Sequence, residues 1–434
     1  MSKIFLCLDP GGSQTKVIYQ LPKWDKPKYL LMNPEVEEIM GDSLRSYLEK
    51  ESSMSNPAPD RQAYLKVNEQ TFVVGHFASH FDPEDRLQEI KYENAIYKIL
   101  AAVGVVAEQN KFTPKKISLH LAILLPWNEY TDRLKMHDKL KKYLQEFSFR
   151  GKTYSIKLDK FICRPEGGGL VAIHTKKKGS QWQQEKKLGV LMCGHRNITG
   201  LNFEYGELTG DSPLIGFAFF LDNVIKRTSG LNRERIASAI FQALESKENQ
   251  ENYDNREHAR QNLYPCWSEL EAIKNLANAK DNELRIKEVE EAYEAIETAR
   301  EEYRQTISKW LNKTFSEDLD SVIISGGASR FLKPSLERYF NCGYIYNGTF
   351  ARFTRTGEYS RLDDKRHFTP IVWGADFTDE IVDILGLDGK KERENSLSYR
   401  LIDAYGLFDL LVAKNFQKVQ KTSAEVTQQE AQAS

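Results

Sequence analysis

The stretch IFLCLDPGGSQTKVIY, residues 4–19, contains two apolar runs separated by a glycine turn. Such runs bounded by turn residues predict a β-hairpin around Gly11 and Gly12. Glycines in this position let the backbone point N–H groups at phosphate oxygens. Asp9 at the strand end can hold the water shell of Mg²⁺, and Lys16 adds a point charge for phosphates. An ordinary glycine-rich hairpin with a surface lysine is the alternative, because the D-x-G-G pattern is short.

A similar arrangement recurs further along the chain. Residues 188–203, LGVLMCGHRNITGLNF, contain two apolar runs around one turn and predict a second strand-turn-strand unit. Its turn consists of Gly194, His195, Arg196 and Asn197. The side chains of His195 and Arg196 could supply positive charge to phosphates, although His195 is equally suited to a structural turn position.

A third glycine turn lies within residues 321–330, SVIISGGASR. A short buried strand is predicted at residues 321–324 before the turn, and a helix at residues 331–340 after it. The two glycines let the backbone approach a flat or charged group closely, and a tight turn without a ligand is the alternative. None of these turns matches the G-x-x-x-x-G-K-[ST] phosphate loop or the G-x-G-x-x-G dinucleotide fingerprint.

The elements between these turns follow one order twice. Ile117–Leu125 is a continuous apolar run, which is typical of a strand buried on both faces of a sheet. Helices are predicted at residues 93–107, 130–147, 215–226, 235–244 and 284–311. The order strand-turn-strand, helices and buried strand therefore predicts a duplicated α/β chain. Residues 21–60 are expected to form a peripheral subdomain or irregular loops, and residues 415–434 a disordered tail.

The composition is that of an ordinary globular protein and excludes several function classes. The 434 residues are enough for two domains, and 40% hydrophobic residues allow a sizeable core. A formal net charge of -1 gives no basic field for direct nucleic-acid binding. No run approaches the ~18 apolar residues of a membrane span, and the short apolar run before Asp9 does not predict a signal peptide.

The cysteines indicate a reducing compartment. They are few, widely spread and without a C-x-x-C pair: Cys7, Cys163, Cys193, Cys266 and Cys342. An odd, scattered set argues against a disulfide framework and against a zinc site. Reduced thiols used as small core residues predict a cytoplasmic protein.

These motifs, in this order, resemble those of the actin-like ATPase superfamily, which also includes sugar kinases and the large heat-shock chaperones. The ParM/StbA plasmid-segregation branch is the most similar. The matching segments are Asp9–Lys16 for the first phosphate loop, Pro165–Glu166 for the catalytic glutamate, Leu188–Met192 with its turn for the second phosphate loop, VIISGGASR at 322–330 for the adenosine motif and YRLIDAYGLF at 399–408 for the connecting helix. Together they span nearly the whole chain.

The resemblance implies an actin-like, ribonuclease H-like duplicated fold, in which two α/β domains surround a nucleotide cleft. Domain I would comprise residues 1–166 with a peripheral insertion near 21–75. A C-terminal helix near 399–414 would pack back on this domain. Domain II would comprise residues 167–398 with a helical insertion near 230–315.

The resemblance also implies a bound ATP or GTP with Mg²⁺. Asp9 would hold Mg²⁺ through water, and Glu166 would orient or deprotonate the attacking water. The nucleotide-binding residues would be Asp9, Gly11, Gly12, Ser13 and Lys16 in the first turn, Gly194, His195, Arg196 and Asn197 in the second, and Gly326, Gly327 and Ala328 at the adenosine. A carboxylate stabilised by a helix dipole is the alternative role for Glu166.

Two features depart from the family pattern. Met192 stands where the second phosphate loop has an aspartate, so one carboxylate of the usual pair is missing. Hydrolysis could therefore be slow, altered or lost. The segment Asn341–Ser398 is longer and more basic than expected and has no counterpart in the pattern.

The function implied by the resemblance is that of a bacterial, cytoplasmic ATPase that polymerises into filaments. Such filaments would serve plasmid or DNA segregation through a small DNA-binding adaptor protein, or cytoskeletal organisation. Two alternatives stay open. A scaffold that binds nucleotide without hydrolysis is favoured by Met192, and a small-molecule kinase would need a catalytic aspartate that is not evident in the sequence.

Overall fold

The computed structural model describes residues 2–51, 57–84, 87, 89–179, 181, 186–245, 270–316, 318–340, 344–346, 349–353, 359–361, 369–387 and 397–413. The chain divides into two compact units. The first contains the described residues up to 179 and those from 377 onward, and the second contains those from 181 to 376.

The first unit contains one mixed sheet and one antiparallel sheet. Its described strands are β1 (Ser2–Pro10), β2 (Thr15–Gln20), β3 (Lys28–Met32), β4 (Val36–Ile39), β5 (Ala63–Val67), β6 (Gln70–Val74), β7 (Ile117–Leu125), β8 (Phe147–Phe149), β9 (Lys152–Tyr154) and β10 (Ile156–Pro165). The central sheet has the order β10-β7-β1-β2-β3, and the second sheet has the order β4-β6-β5-β8-β9. In the central sheet β1, β7 and β10 are parallel, whereas β2 and β3 are antiparallel to their neighbours.

The second unit repeats this topology. Its described strands are β11 (Lys187–Cys193), β12 (Ile198–Glu204), β13 (Glu207–Asp211), β14 (Ser321–Ser325), β15 (Tyr344–Tyr346), β16 (Thr349–Phe353), β17 (Tyr359–Arg361) and β18 (Ile371–Trp373). The larger sheet has the order β13-β12-β11-β14-β18, and β15, β16 and β17 form a small sheet. β11, β14 and β18 are parallel, and β12 and β13 return antiparallel. The predicted duplicated, ribonuclease H-like α/β architecture is confirmed.

The helices predicted from the apolar spacing are present with slightly different ends, and the described chain contains further helices. The described α-helices are Gly41–Glu51, Lys91–Gln109, Arg133–Gln145, Gly168–Lys178, Phe217–Ile225, Arg233–Glu245, Glu271–Lys274, Asn282–Thr314, Ser329–Phe340, Thr378–Leu385 and 397–413. The longest helix begins at Asn282, where the Asp281 side chain caps two backbone amides. The helix predicted from residue 130 begins instead with a 3₁₀ segment, Trp127–Asp132. None of the helices described combines the length and the apolar character that a membrane crossing requires.

Each unit has its own apolar core. In the first unit, β7 is buried along its whole length, as expected for a central strand with both faces covered. The helix Lys91–Gln109 contacts β1 of the central sheet and also β5 and β6 of the second sheet. Residues 99–107 of this helix are therefore apolar on every side and lie in one core with both sheets, whereas Lys98 just before them is a buried lysine. The core of the second unit joins β11 and β14 to the helices Phe217–Ile225 and Asn282–Thr314.

The peripheral insertion near 21–75 contains ordered elements. It includes the helix Gly41–Glu51 and the hairpin of β5 and β6, in which Asn68 and Glu69 both have positive φ. Two such residues are the mark of a type I′ hairpin turn. The second sheet also takes β8 and β9 from outside the insertion, because β8 pairs with β5. The predicted tail, residues 415–434, lies outside the described residues.

The first unit extends beyond the predicted boundary at residue 166. It includes the helix Gly168–Lys178, which the sequence analysis placed at the start of domain II, and the C-terminal helix 397–413. These two helices cross where glycines face each other. A Cβ atom at Gly169 would lie 1.8 Å from the carbonyl oxygen of Asp403, and one at Gly406 would lie 2.1 Å from the carbonyl oxygen of Gly169. The two backbones are therefore in direct contact, which attaches the helix after residue 166 to the first unit.

This close crossing predicts a large effect of one methyl group. Gly169→Ala should lower the free energy of unfolding by roughly 3 kcal/mol, because the new Cβ overlaps backbone that cannot rotate away. Gly41→Ala is the matched control, since its Cβ would meet nothing closer than Thr71 Oγ1 at 4.0 Å. Urea unfolding of both variants measures the difference. A Gly169→Ala variant as stable as the control would contradict the close crossing.

Candidate functional site

The first glycine turn places a carboxylate and an ammonium group side by side. Asp9 of β1 pairs in register with Lys16 of β2, so the loop between the strands consists of residues 11–14. Lys16 Nζ lies 2.6 Å from Asp9 Oδ2, and both side chains are nearly buried. A Cβ atom at Gly11 would lie 3.2 Å from Lys16 Nζ, so the lysine head group rests against the turn.

Glu166 lies at the same edge of the sheet, because parallel strands end together. It directly follows β10, and its N–H donates to the carbonyl oxygen of Leu125 at the end of β7 over 2.8 Å. Its carboxylate accepts a hydrogen bond from Lys91 Nζ, and that same ammonium group lies 3.8 Å from Asp9 Oδ1. Asp9, Lys16, Lys91 and Glu166 therefore form one charged group, called here the Asp9 cluster.

Lys91 was not identified from the sequence. It is the first residue of the helix Lys91–Gln109, where a positive charge opposes the helix dipole. It is also nearly buried, with its side chain 7% exposed. A lysine at a helix start, just before an apolar run, is an unfavourable choice without a partner. The presence of a lysine at this position was therefore the sequence signal that a negatively charged partner lies nearby.

Nearby lysines control the ionisation of Asp9. Burial acts to raise the pKa of the Asp9 carboxyl, but the ammonium groups of Lys16, Lys91 and Lys98 together outweigh burial. The pKa of Asp9 is consequently lowered from its ordinary value. The carboxylate stays charged over the physiological range because its charge is matched by nearby cations.

Asp403 of the helix 397–413 connects the C-terminal segment to the Glu166 turn. Its Oδ2 accepts from Gly167 N–H at 2.7 Å, and its Oδ1 accepts from Gly169 N–H at 2.8 Å and from Leu170 N–H at 3.2 Å. Amides in the first turn of a helix have no partner within the helix. Asp403 therefore caps the helix Gly168–Lys178 from a distant part of the sequence.

The ionisation of Asp403 is costly. Burial raises its pKa to about 7, and the carboxylates of Asp9 and Glu166 act in the same direction. The amides of Gly167 and Gly169 act against this rise by donating to the charged form. The folded chain thus retains a proton on Asp403 at pH values where an ordinary aspartate has lost it.

A pH dependence of stability follows from this raised pKa. Between the ordinary pKa of 3.8 and about 7, the folded chain binds a proton at Asp403 that the unfolded chain releases. The corresponding stabilisation is complete below the ordinary pKa and is lost as the pH rises toward 7. Asp403→Asn removes this titration. The stability of wild type relative to Asp403→Asn should therefore fall as the pH rises from about 4 to 7.

Urea unfolding of both proteins across this pH range measures the effect. Asp42→Asn is the matched control, because the Asp42 side chain is 90% exposed. Its stability difference from wild type should stay flat over the same range. A difference for Asp403→Asn that does not change with pH would contradict the raised pKa.

The remaining residues of the first turn suit a phosphate group. Gly12 is half-buried and Ser13 is exposed, so both are accessible from solvent. Thr15 Oγ1 is buried and has no hydrogen-bond partner among the residues described. A buried hydroxyl without a partner at the end of a glycine loop fits an oxygen-rich ligand.

The second hairpin repeats the geometry of the first with different chemistry. Met192 pairs with Thr199, and the loop between β11 and β12 consists of residues 194–197. In both hairpins one residue separates this pair from the loop on each strand. Met192 therefore occupies the position of Asp9, and Thr199 occupies the position of Lys16. The second hairpin therefore lacks both the carboxylate and the ammonium group.

The backbone of the second turn is largely engaged within its own unit. The N–H of Gly194 donates to the carbonyl oxygen of Asn197 at 3.0 Å, so this amide closes the hairpin. The carbonyl oxygens of Gly194, His195 and Arg196 accept from the amides that begin the helix Phe217–Ile225. The side chain of Asn197 donates to Thr199 Oγ1. Gly194 thus shapes the turn, and His195 and Arg196 are both half-buried.

The third glycine turn packs against the second. Gly326 has φ +97, and a Cβ atom there would lie 2.4 Å from the carbonyl oxygen of Cys193. The N–H of Ala328 donates to that same oxygen at 3.1 Å. In contrast, a Cβ atom at Gly327 would meet nothing within 4 Å. Ser325 Oγ is buried and has no hydrogen-bond partner among the residues described.

The donor set of the Asp9 cluster fits an anion better than a cation. Both oxygens of Asp9 face ammonium groups, and Lys91 also binds the Glu166 carboxylate. The described part of the chain contains no group of three or more His, Cys, Asp or Glu residues that could hold a metal ion. Glycine-loop backbone and paired lysines are instead suited to phosphate.

Comparisons with known proteins agree on the fold. No protein-family model matches the sequence, and no curated protein sequence does. The solved structure of Bacillus thuringiensis ParM with ATP is 11% identical, with a TM-score of 0.50 over 95% of this chain and 99% of that chain. The structure of the same protein with AMPPNP is 12% identical, with a TM-score of 0.51 over 95% and 99%. The chain therefore has an actin-like fold similar to that of the ParM structures.

Proposed function

We propose that this chain is a bacterial actin-like protein that binds ATP or GTP and polymerises into filaments. The observation that carries the proposal is the Asp9 cluster, which lies beside a glycine turn at the carboxyl ends of β1 and β10. In open α/β sheets, ligands bind outside the carboxyl ends of the strands. The fold supports the proposal, since Bacillus thuringiensis ParM, which has a similar fold, was solved with ATP.

The residues of the three glycine turns have separate roles in this proposal. When bound, the nucleotide would supply a phosphoanhydride bond, and its hydrolysis with release of phosphate would lower the negative charge of the bound ligand. The first turn contributes its glycine backbone, Ser13 and Lys16 to the phosphates. In the second unit His195, Arg196 and Asn197 stay proposed nucleotide-binding residues, although the side chain of Asn197 is buried and donates to Thr199 Oγ1. Gly326, Gly327 and Ala328 let the backbone approach the nucleoside closely.

Glu166 is proposed to orient or deprotonate the attacking water. A general base must lie within hydrogen-bonding reach of the proton that it takes, or act through one water molecule. Lys91 holds the Glu166 carboxylate in place, and the Leu125 carbonyl holds its backbone. This fixed position is what a water-orienting carboxylate needs, because phosphoryl transfer depends mainly on positioning and charge stabilisation.

Filament formation would follow from contacts between copies of the chain. Head-to-tail contacts that do not close a ring produce filaments, and nucleotide state can bias such contacts. The proposed role is plasmid or DNA segregation, or cytoskeletal organisation, in the cytoplasm. A net charge of -1 suits contact with DNA through a small DNA-binding adaptor protein.

A second candidate function is a filament or scaffold protein that binds nucleotide without hydrolysing it. The observation that favours it is Met192, which holds the register position of Asp9 in the second hairpin. A thioether cannot orient water or a metal ion as a carboxylate does. Binding would then fix the conformation of the chain without turnover.

One set of measurements separates the two candidates. The purified chain is incubated with ATP, GTP, AMPPNP or no nucleotide, and sedimentation, electron microscopy and phosphate release are recorded. Nucleotide-dependent filaments with phosphate release support the ATPase. Filaments or binding without phosphate release support the scaffold. A chain that binds no nucleotide would contradict both.

Glu166→Gln tests the proposed base. It should slow phosphate release by about 100-fold or more, the contribution typical of a general base, while filaments persist longer. Glu146→Gln is the matched control, because Glu146 is exposed and lies outside the site. Unchanged phosphate release in Glu166→Gln would remove its catalytic role.

Gly327→Val tests whether the third turn meets a ligand. Its Cβ has open space within the chain, so the unfolding temperature should change little, while nucleotide affinity should fall about tenfold or more. Gly326→Ala provides the contrast, since its Cβ overlaps the Cys193 carbonyl and should lower stability instead. Wild-type nucleotide affinity in Gly327→Val would place the ligand elsewhere.

A further inference from the structure

Lys91 occupies a central position in the Asp9 cluster. Its ammonium group donates to Glu166 and lies 3.8 Å from Asp9 Oδ1, while Lys16 contacts Oδ2 of the same aspartate. Two carboxylates thus contact two ammonium groups within a nearly buried space, and the charges of Lys98 and Arg400 also interact with Asp9. The positive charges come from separate elements, β2 and the helix Lys91–Gln109.

Lys91 is a costly residue for structure alone. A buried ammonium group loses its hydration, and its place in the first helical turn opposes the helix dipole. Replacing a buried ion pair with apolar side chains is often neutral or stabilising. The ammonium group nevertheless lies between the carboxylates of Asp9 and Glu166, so the charge itself points to a role in binding.

The cluster also differs from a metal-dependent phosphate site. Mg²⁺ prefers oxygen ligands and is commonly bound through one or two carboxylates together with substrate phosphates. Here both oxygens of Asp9 face ammonium groups, and the Glu166 carboxylate accepts a hydrogen bond from Lys91. A cation that approached Asp9 would meet the repulsion of Lys16 and Lys91.

We propose that Lys91 and Lys16 supply the positive charge that Mg²⁺ would otherwise bring to the triphosphate, so that nucleotide binding does not require Mg²⁺. This inference rests on the proposed nucleotide binding. The ammonium groups exchange part of their contact with Asp9 and Glu166 for contact with phosphate oxygens. Charge-assisted hydrogen bonds of this kind are the strong ones.

The test measures the affinity of the full chain for ATP by calorimetry, once in EDTA and once in Mg²⁺. For the wild type, the two dissociation constants should agree within about threefold. In Lys91→Met the affinity in EDTA should fall by about tenfold or more, the usual effect of losing one hydrogen bond to a charged group. Mg²⁺ should restore most of that loss, because it replaces the missing charge.

Two further variants separate a charge effect from a structural one. Lys91→Arg keeps the positive charge and should retain binding in EDTA. Lys135→Met is the matched control, since Lys135 is an exposed lysine on the helix Arg133–Gln145, and its affinities should equal those of the wild type. A purely structural role for Lys91 would lower the affinity equally in both buffers and would overturn the proposal.

The failure of the inference differs from the failure of the proposed function. Wild-type binding that disappears in EDTA and returns with Mg²⁺ overturns the inference and leaves nucleotide binding intact. A wild type that binds no ATP in either buffer overturns the proposed function itself. If Lys91→Met does not fold, the wild-type comparison and Lys91→Arg still decide the result.

Discussion

Parallel alignment of β1, β7 and β10 is the constraint on which the candidate site depends. Strands that run in one direction end at one edge of the sheet, so residues far apart in sequence are brought together without any specific attraction between them. Asp9 and Glu166 meet in this way. The hydrogen bond from the Glu166 N–H to the Leu125 carbonyl fixes the backbone of Glu166 to the end of the central strand β7. Two carboxylates at one edge then require cations, which Lys16 and Lys91 supply.

Asp403 links this electrostatic arrangement to the stability of the first unit. Its carboxylate caps the helix that begins just after Glu166, which favours a charged Asp403. Burial and the nearby carboxylates favour a neutral one, and they prevail in raising its pKa to about 7. Charge brought to or removed from the Asp9 cluster therefore changes the ionisation of Asp403. The glycine crossing also holds the backbones of the same two helices in direct contact.

The features that depend on local sequence patterns could be predicted from the sequence. Apolar runs, glycine turns and helical spacing were sufficient to predict the buried strand Ile117–Leu125, the three turns and the duplicated order of elements. The partners of Lys91 and Asp403 could not be predicted, because several secondary-structure elements separate each residue from its partner along the chain. Both residues nevertheless left a signal: one is a lysine at a helix start, and the other is an acidic residue within the apolar stretch YRLIDAYGLF. The amide of Gly194 was assigned to phosphate, but hairpin geometry engages it with Asn197.

The two hairpins show how one topology can carry different chemistry. Both have the same register and the same loop length, so the backbone alone does not distinguish them. In the first, Asp9 and Lys16 face each other across the strands. In the second, Met192 and Thr199 hold those positions, and the turn carbonyls serve the helix Phe217–Ile225. The facing pair of opposite charges thus occurs in one copy, while the turn of the other supports the start of a helix. The candidate site therefore depends on the balance of charges between the first hairpin and its neighbours. Lys91, which belongs to a separate helix, contributes to this balance by contacting Asp9 and Glu166.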